Sequence, residues 1–372
     1  MDRCSNEADK KQSKSVDVFS QKRPHWVMTR YLSGIQPTGE PHLGNYFGAI
    51  MQHIEASRTN EAGESFFFIA DYHALTALSD RDTLSNNVKS VAATYLALGL
   101  DVDRAVFFRQ SDIPEVTELT WLLATSTGMG LLERAHSYKD KVAKGVSANV
   151  GLFTYPILMA SDILIYDSDV VPVGKDQIQH VEMTQDMAGY FNNRFGPKDP
   201  SPEQMLLKKP TWQLSKTPKV PGTDGQKMSS SYGNYIGLFL EGKALKKAVN
   251  AIVTDSRVPS EPKDPDGVAA FKILELFLDE NETKEWRNAI SEGGDHAPGY
   301  GAIKKEIMLR MDTTFGDARE RYKAYLSDPA QGKELEEILQ TGAQKARIVA
   351  QSVLHRCMSA CGLENTASRL TK

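Results

Sequence analysis

The chain has 372 residues, and its 44 basic and 48 acidic side chains give a formal net charge of −4 at pH 7. Hydrophobic residues make up 40% and charged residues 25% of the chain, which is typical of folded soluble proteins and excludes disordered and fibrous classes. With no long apolar run and only three cysteines, the sequence predicts no membrane helix, disulfide framework, zinc site or iron–sulfur cluster, and we expect a cytoplasmic protein.

The first predicted element is a polar segment over residues 1–27, which reads as a flexible tail and whose acidic residues argue against a transit peptide. Apolar strand candidates follow it at Tyr31–Ile35, Ser65–Ala70, Ala105–Phe108 and Val170–Val173. A stretch with helical spacing separates the second and third candidates. Strand, helix and strand in short succession predict a parallel sheet with right-handed crossovers, and therefore an α/β fold.

Beyond about Tyr235 the sequence changes to helical periodicity interrupted by proline and glycine. Helices are predicted at Ala244–Val253, Val268–Leu278, Ala302–Met311, Phe315–Leu326 and Lys333–Cys361. The chain is therefore predicted to have an α/β half followed by an α-helical half.

A glycine- and proline-rich turn leaves the first predicted strand and leads into a helix that opens with His42-Leu43-Gly44-Asn45. A helix start offers unpaired N–H groups and a positive dipole end to phosphate, and Gly44 lets a nucleotide approach the backbone. His42 and Asn45 lie three residues apart on one face and are neutral hydrogen-bond donors. The pattern predicts a site that stabilises charge on a reacting phosphate, with a capped turn of no catalytic role as the alternative.

A second motif, Lys227-Met228-Ser229-Ser230-Ser231, follows the glycine-containing loop Pro221–Gly225. A lysine on a mobile loop is suited to meeting a polyphosphate when the site closes. For an isolated motif of this kind, a solvated surface loop is the favoured alternative.

Together the two motifs resemble those of the class I aminoacyl-tRNA synthetases. With Tyr155–Leu164 and Val171–Gln177 in the same order and approximate spacing, the chain is similar to the bacterial-type tryptophanyl-tRNA synthetase family from about Arg30 to its C-terminus. The resemblance implies a Rossmann-like nucleotide-binding domain over residues 28–235 with a helical insertion over about 92–147. It also implies a helical anticodon-binding domain over residues 236–372 and a homodimer interface formed by the insertion.

The resemblance implies a tryptophan–tRNA ligase, which forms tryptophanyl-adenylate and pyrophosphate from L-tryptophan and Mg·ATP and then charges the 3′ end of tRNA(Trp). His42, Asn45 and Lys227 would act on the phosphates, and Lys139 and Lys141 align with lysines that reach the same groups, with solvated charges as the alternative. ATP would contact Gly34, Gln36, Pro37, Thr38, Gly44, Asn45, Gly174, Lys175, Asp176, Val220, Lys227, Met228, Ser229, Ser230 and Ser231. No protein-held metal is expected.

The helix predicted near residue 155 carries Tyr155, Met159, Asp162 and Tyr166 on one face. Thr154 is predicted to cap this helix, and Pro156 to lie in its first turn. Because a buried carboxylate is costly without a donor, Asp162 suggests a slot for an aromatic ring that donates a hydrogen bond. A core helix is the alternative. The residues alone permit tryptophan or tyrosine, and the resemblance selects tryptophan.

The resemblance also places Tyr155 and Gln177 at the amino acid's polar end, Met159 in the pocket wall and His73 near the substrate, although a structural role for His73 stays open. Ser230 stands where the family usually has a second lysine, so a slower reaction is expected. Positive charge for tRNA phosphates is available at Lys246, Lys247, Lys304, Lys305, Arg310, Arg319 and Arg321.

Three other functions remain open on the sequence alone. A tyrosine-activating relative would keep the same motifs. A non-catalytic paralogue that binds tryptophan or tRNA is favoured by Ser230 and opposed by the intact His42, Asn45, Gln36 and Lys227. A nucleotidyltransferase that shares the His-x-Gly turn is opposed by the long helical second half.

Overall fold

The computed structural model describes residues 29–59, 63–135, 149–214 and 219–363. Its centre is a five-stranded parallel sheet with the strand order β3-β2-β1-β4-β5. The strands are β1 (Thr29–Ile35), β2 (Gly63–Ile69), β3 (Ala105–Arg109), β4 (Val170–Val173) and β5 (Thr211–Leu214). Because the order reverses between β1 and β4, the ligand crevice of a doubly wound sheet is expected at the carboxyl ends of these two strands.

The α/β prediction is confirmed, and the four predicted strands are present with ends that differ from the prediction by at most two residues. The fifth strand, β5, carries no such signal in the sequence. It lies at the edge of the sheet and all four of its side chains are exposed, so no apolar run marks it, and its polar–apolar alternation is only four residues long.

Helices of the first half surround the sheet. They are α1 (Leu43–Asn45), α2 (Met51–Thr59), α3 (Asp71–Ala74), α4 (Arg81–Ala97), α5 (Glu115–Ser126), α6 (Met129–Glu133), α7 (Val150–Leu164) and α8 (Ile178–Phe195), with a π-helical segment (Tyr46–Ile50) between α1 and α2. The predicted cap of α7 is wrong. Asn149 caps the helix by accepting a hydrogen bond from the Leu152 N–H at 2.7 Å, Thr154 bonds back to the Val150 carbonyl, and Pro156 lies in the helix interior.

The second half contains α9 (Gly242–Asn250), α10 (Ala269–Leu274), α11 (Glu280–Glu292), α12 (Tyr300–Ser327) and α13 (Pro329–Ala360). Two helices predicted separately, at Ala302–Met311 and Phe315–Leu326, form the single helix α12. The sequence analysis missed α11, which is mostly polar but carries a capping box in which Asp279 accepts from the Glu282 N–H and Glu282 accepts from the Asp279 N–H.

The C-terminal helix α13 packs directly on the sheet. Gly342 lies so close to β3 that a Cβ atom there would stand 1.9 Å from the Phe107 carbonyl oxygen. Ion pairs of Arg347 with Glu115 and of Arg356 with Asp167 hold the helix in place. The predicted domain boundary at residue 235 remains a prediction, and the span 92–147 that was predicted as a helical insertion includes the strand β3.

A second hydrophobic cluster joins the helices α9, α10 and α12 to the two motifs. It contains Leu43, which follows His42, and Met228, which follows Lys227. Within the described ranges, no helix is both long enough and apolar enough to cross a membrane.

Candidate active site

Four strands end at the same edge of the sheet, and three of them lead into segments that contain predicted site residues. The turn at Gln36 follows β1, and Gly174 follows β4 on the other side of the switch point. Asp71 follows β2 closely, two residues before the predicted His73, and Gln110, which was not predicted, directly follows β3. Parallel strands place their carboxyl ends together, so Gln36 and Gly174, which are far apart in sequence, share one crevice.

The two sequence motifs are in direct contact. The Gly44 N–H donates a hydrogen bond to the Met228 sulfur at 3.3 Å, and the Leu43 N–H donates to the Ile236 carbonyl at 3.1 Å. A Cβ atom on Gly44 would stand 2.9 Å from the His42 ring and 3.3 Å from the Met228 Cβ. The absence of a side chain at Gly44 therefore allows the two motifs to meet, in addition to any room that it leaves for a nucleotide.

His42 and Asn45 are arranged as neutral donors. Burial lowers the pKa of His42 to about 4, so its imidazole is uncharged at neutral pH. Its Nδ1 is buried and has no hydrogen-bond partner among the described residues. The Asn45 Oδ1 accepts a hydrogen bond from the His42 N–H at 3.0 Å, which leaves the amide NH2 available to a phosphate oxygen.

In the Lys227 loop the backbone is hydrogen-bonded to neighbouring residues and the lysine side chain is exposed. The Met228 N–H donates to the Val220 carbonyl at 2.9 Å, and the Lys227 carbonyl accepts from Asn234 at 3.1 Å. Asn234 also accepts from the Ser229 N–H at 2.9 Å, so this buried side chain organises the loop. The sequence analysis missed Asn234. The available signal was its position beside a glycine just after the motif.

Asp162 is buried, with 2% of its surface exposed, as the sequence analysis expected. Its carboxylate accepts hydrogen bonds from Gln110 Nε2 at 2.7 and 2.9 Å and from His73 Nε2 at 2.8 Å. Burial raises the pKa of Asp162, and the hydrogen bonds from His73 and Gln110 oppose that rise. His73 therefore contacts the predicted selecting acid, and Gln110 is a site residue that was not predicted.

Tyr155 lies about two turns before Asp162 on α7, and its hydroxyl shares a hydrogen bond with His180 Nε2 at 2.6 Å. Burial raises the pKa of Tyr155 to about 12, so the phenol is protonated at neutral pH. Met159 and Gln177 are half-buried, and Tyr166 packs fully within the core. A Cβ atom on Gly174 would stand 2.7 Å from Asp176 Oδ1, and Lys175 and Asp176 are exposed.

The remaining predicted residues differ in what surrounds them. Gln36 and Thr38 are exposed in the turn after β1, where the Pro37 carbonyl accepts from Asn87 at 3.1 Å. A Cβ atom on Gly34 would stand 2.5 Å from the Phe68 ring, so this glycine is required by packing as well. Lys139 and Lys141 lie outside the described residues.

Several of the basic residues proposed for tRNA have structural contacts. Lys304 donates to the Asn250 and Ile252 carbonyls, Arg319 donates to the Leu240 carbonyl, and Arg321 donates to the Ala97 carbonyl. Arg310 pairs with Glu282 and Glu306. Lys246, Lys247 and Lys305 are exposed. Across the described ranges, no group of three or more His, Cys, Asp or Glu side chains could hold a metal ion.

Comparison with known proteins identifies consistent relatives. Residues 27–315 match the family model described as tRNA synthetases class I (W and Y). The tryptophan–tRNA ligase of Rhodopirellula baltica is 50% identical over 334 residues, which cover 90% of this chain and 99% of the relative. The corresponding ligase of Campylobacter jejuni is 47% identical over 90% of this chain and 100% of the relative.

Comparison with solved structures also identifies tryptophanyl-tRNA synthetases as relatives. The crystal structure of the Campylobacter jejuni tryptophanyl-tRNA synthetase complexed with ADP and tryptophan matches with a TM-score of 0.79 and 46% identity, covering 90% of this chain and 100% of that one. The Mycoplasma pneumoniae tryptophanyl-tRNA synthetase matches with a TM-score of 0.71 and 28% identity, covering 93% and 100%.

Proposed function

This chain belongs to the class I tRNA synthetase family of the tryptophan and tyrosine type, and from that membership we propose that it is a tryptophan–tRNA ligase. It activates L-tryptophan with ATP to tryptophanyl-adenylate and pyrophosphate, and then transfers tryptophan to the 3′ end of tRNA(Trp). The observation that carries this function is the direct contact of the two motifs at Gly44 and Met228, and the buried carboxylate of Asp162 on α7 supports the choice of amino acid. Its support against tyrosine activation is the 50% identity to a tryptophan–tRNA ligase.

In the activation step, a carboxylate oxygen of tryptophan attacks the α-phosphorus of ATP and pyrophosphate leaves. The protein forms no covalent bond and acts by positioning and charge stabilisation. Neutral His42 and the amide of Asn45 donate hydrogen bonds to phosphate oxygens, and Lys227 neutralises the departing pyrophosphate when its loop closes. The single loop lysine, with Ser230 at the second position, gives a slower activation than a loop with two cations.

The remaining contacts follow the crevice. ATP lies on the turn of Gln36, Pro37 and Thr38 and on the Gly174–Asp176 segment after β4. The indole ring occupies the α7 face beside Met159, and its N–H donates to Asp162. Tyr155 and Gln177 bind the polar end of the amino acid. His73 helps to position Asp162, because its ring nitrogen is hydrogen-bonded to that carboxylate. Mg²⁺ enters with the phosphates of ATP as part of the substrate.

The protein is also proposed to be a cytoplasmic homodimer. Three large apolar side chains on the successive helices α5, α6 and α7 support the dimer, since Trp121, Met129 and Val150 are 71%, 62% and 77% exposed. Trp121 and Met129 lie within residues 92–147, the segment that the family resemblance assigns to the interface, and Val150 borders it. Because Lys246, Lys247 and Lys305 are exposed, these three lysines are available to bind tRNA phosphates.

The direct test is the exchange of labelled pyrophosphate into ATP, measured with each of the twenty amino acids. We expect exchange with tryptophan alone, and a large loss of it in Asp162→Asn, which removes the anionic acceptor. Exchange that prefers tyrosine would identify a tyrosine-activating relative. A protein that shows no exchange with any amino acid would be a non-catalytic paralogue.

A further inference from the structure

The carboxylate of Asp162 has almost no free acceptor capacity. A carboxylate offers about four lone-pair positions, two on each oxygen. Oδ2 accepts from both His73 Nε2, at 2.8 Å, and Gln110 Nε2, at 2.9 Å. Oδ1 accepts from Gln110 Nε2 alone, at 2.7 Å. Because the Gln110 nitrogen is shared between the two oxygens and His73 contacts Oδ2 alone, Oδ1 keeps the greater free acceptor capacity.

Gln110 is itself held in one orientation. Its side chain is completely buried, and its Oε1 accepts a hydrogen bond from the Tyr72 N–H at 3.0 Å. A flip of the amide would place its NH2 against the Tyr72 N–H and its oxygen against the carboxylate, so both hydrogen bonds fix the same orientation. The buried amide is therefore a rigid donor to Asp162.

The strand ends that carry the two donors are joined to each other. Asp71 follows β2, and Ser111 follows β3. The Asp71 carboxylate accepts hydrogen bonds from the Ser111 N–H at 3.0 Å and from the Ser111 hydroxyl. This connection keeps His73, on the β2 side, and Gln110, on the β3 side, at a constant separation. Both can then reach Asp162 on α7 at the same time.

We propose that Gln110 is a positioning residue for amino-acid selection, which orients Asp162 so that one acceptor position on Oδ1 faces the ring N–H of the substrate. This inference rests on the proposed function, since it concerns how the same pocket selects its amino acid. When Asp162 is held in place, a ring without an N–H leaves its acceptor unpaired, and this weakens binding of that ring. A carboxylate that is free to rotate can instead turn toward His73, so the wrong ring is penalised less. Gln110 thus increases discrimination without touching the substrate.

The test compares tryptophan with an analogue in which sulfur replaces the ring N–H, 3-benzothienylalanine, in wild type and in Gln110→Met. Methionine has a similar length but donates no hydrogen bond. We expect the KM for tryptophan to rise at least about tenfold, while the KM for ATP changes less than about twofold. The ratio of kcat/KM for tryptophan over that for the analogue should fall about tenfold.

Two further variants make the result decisive. Asn192→Leu removes another buried amide, which exchanges two hydrogen bonds with Leu207 away from the crevice, and it should lower stability without changing the discrimination ratio. Gln110→Leu also removes the donor from a side chain of similar size, without placing a second acid beside Asp162, and it should reproduce the lower ratio if the methionine variant does not fold.

An unchanged ratio in a folded Gln110→Met or Gln110→Leu protein would overturn the positioning role and leave the proposed function intact. Wild-type protein that shows no tryptophan-dependent exchange would overturn the function itself, and the positioning role with it. The two failures are separated by the wild-type measurement alone.

Discussion

Two buried histidines of this protein are uncharged for the same physical reason. Burial lowers the pKa of His42 and of His53 to about 4 in each case. At His42 the consequence concerns the proposed function, in which a neutral imidazole donates one hydrogen bond to a phosphate of ATP without adding a fixed charge. At His53, which stacks on Phe67 and shares a hydrogen bond with the Tyr95 hydroxyl at 2.7 Å, the consequence concerns stability.

The first residue-scale prediction concerns Lys227, whose side chain is exposed and forms no ion pair within the described ranges. Lys227→Ala should lower kcat for tryptophan activation by roughly 10²–10³-fold, because a cation that meets the leaving pyrophosphate acts mainly in the transition state. The KM for ATP should change only a few-fold. Pyrophosphate exchange kinetics measure both values, with Lys219→Ala as the exposed control beside the loop. A raised KM with unchanged kcat would contradict the role.

The second concerns His53, whose native pKa of about 4 lies below the ordinary value of 6.5. As the pH falls, this histidine is protonated in the unfolded chain before it is protonated in the folded protein. Its contribution to the free energy of unfolding is therefore complete above pH 6.5 and is lost as the pH falls toward 4, by roughly 3 kcal/mol. In His53→Phe this part of the acid loss should disappear, which urea titrations at pH 7, 5.5 and 4.5 can measure. Tyr95→Phe, which keeps the imidazole, should retain the loss. If the free energy of unfolding falls equally with pH in wild type and in His53→Phe, the acid loss does not come from His53.

At the scale of elements, local signals predicted most of the fold but not all of it. Apolar runs mark β2, β3 and β4, and the glycine- and proline-rich turn that follows marks β1, so the positions of these strands could be read directly. The exposed edge strand β5 and the polar helix α11 bury too little for periodicity to reveal them. The donor Gln110 could be suspected only because it ends a strand, since its partner Asp162 is 52 residues away and the contact is purely tertiary.

The close approach of α13 to β3 gives the element-scale prediction. Gly342→Ala places a Cβ atom 1.9 Å from the Phe107 carbonyl oxygen, a backbone atom that cannot move without shifting the sheet. It should therefore destabilise the protein by about 2 kcal/mol or more, although alanine favours an isolated helix by about 1 kcal/mol. In α12, Gly316→Ala meets nothing within 4 Å and should stabilise by about 0.5–1 kcal/mol. Denaturant midpoints compare the two, and stabilisation by both substitutions would contradict the packing.

On the scale of the whole molecule, the active site exists only because distant segments meet. The hydrogen bond from Gly44 to Met228 joins residues 184 positions apart, and the cluster around it includes helices of the second half. The long helix α13 returns to the first half, where Arg347 pairs with the buried Glu115. The sequence motifs both lie in the first half and did not predict these contacts with the second. The position of α13 on the sheet depends on the close contact at Gly342, which no periodicity indicates.

The last prediction concerns the assembly. Trp121 is 71% exposed on α5, and an exposed tryptophan is the kind of side chain that anchors a protein interface. Trp121→Glu should convert the proposed dimer into a monomer of half its mass in light scattering, because burying the new carboxylate at an interface is costly. Ile348→Glu removes an equally exposed apolar side chain from α13, outside the proposed interface, and should leave the mass unchanged. Loss of the dimer in both variants, or a wild-type monomer, would contradict this interface.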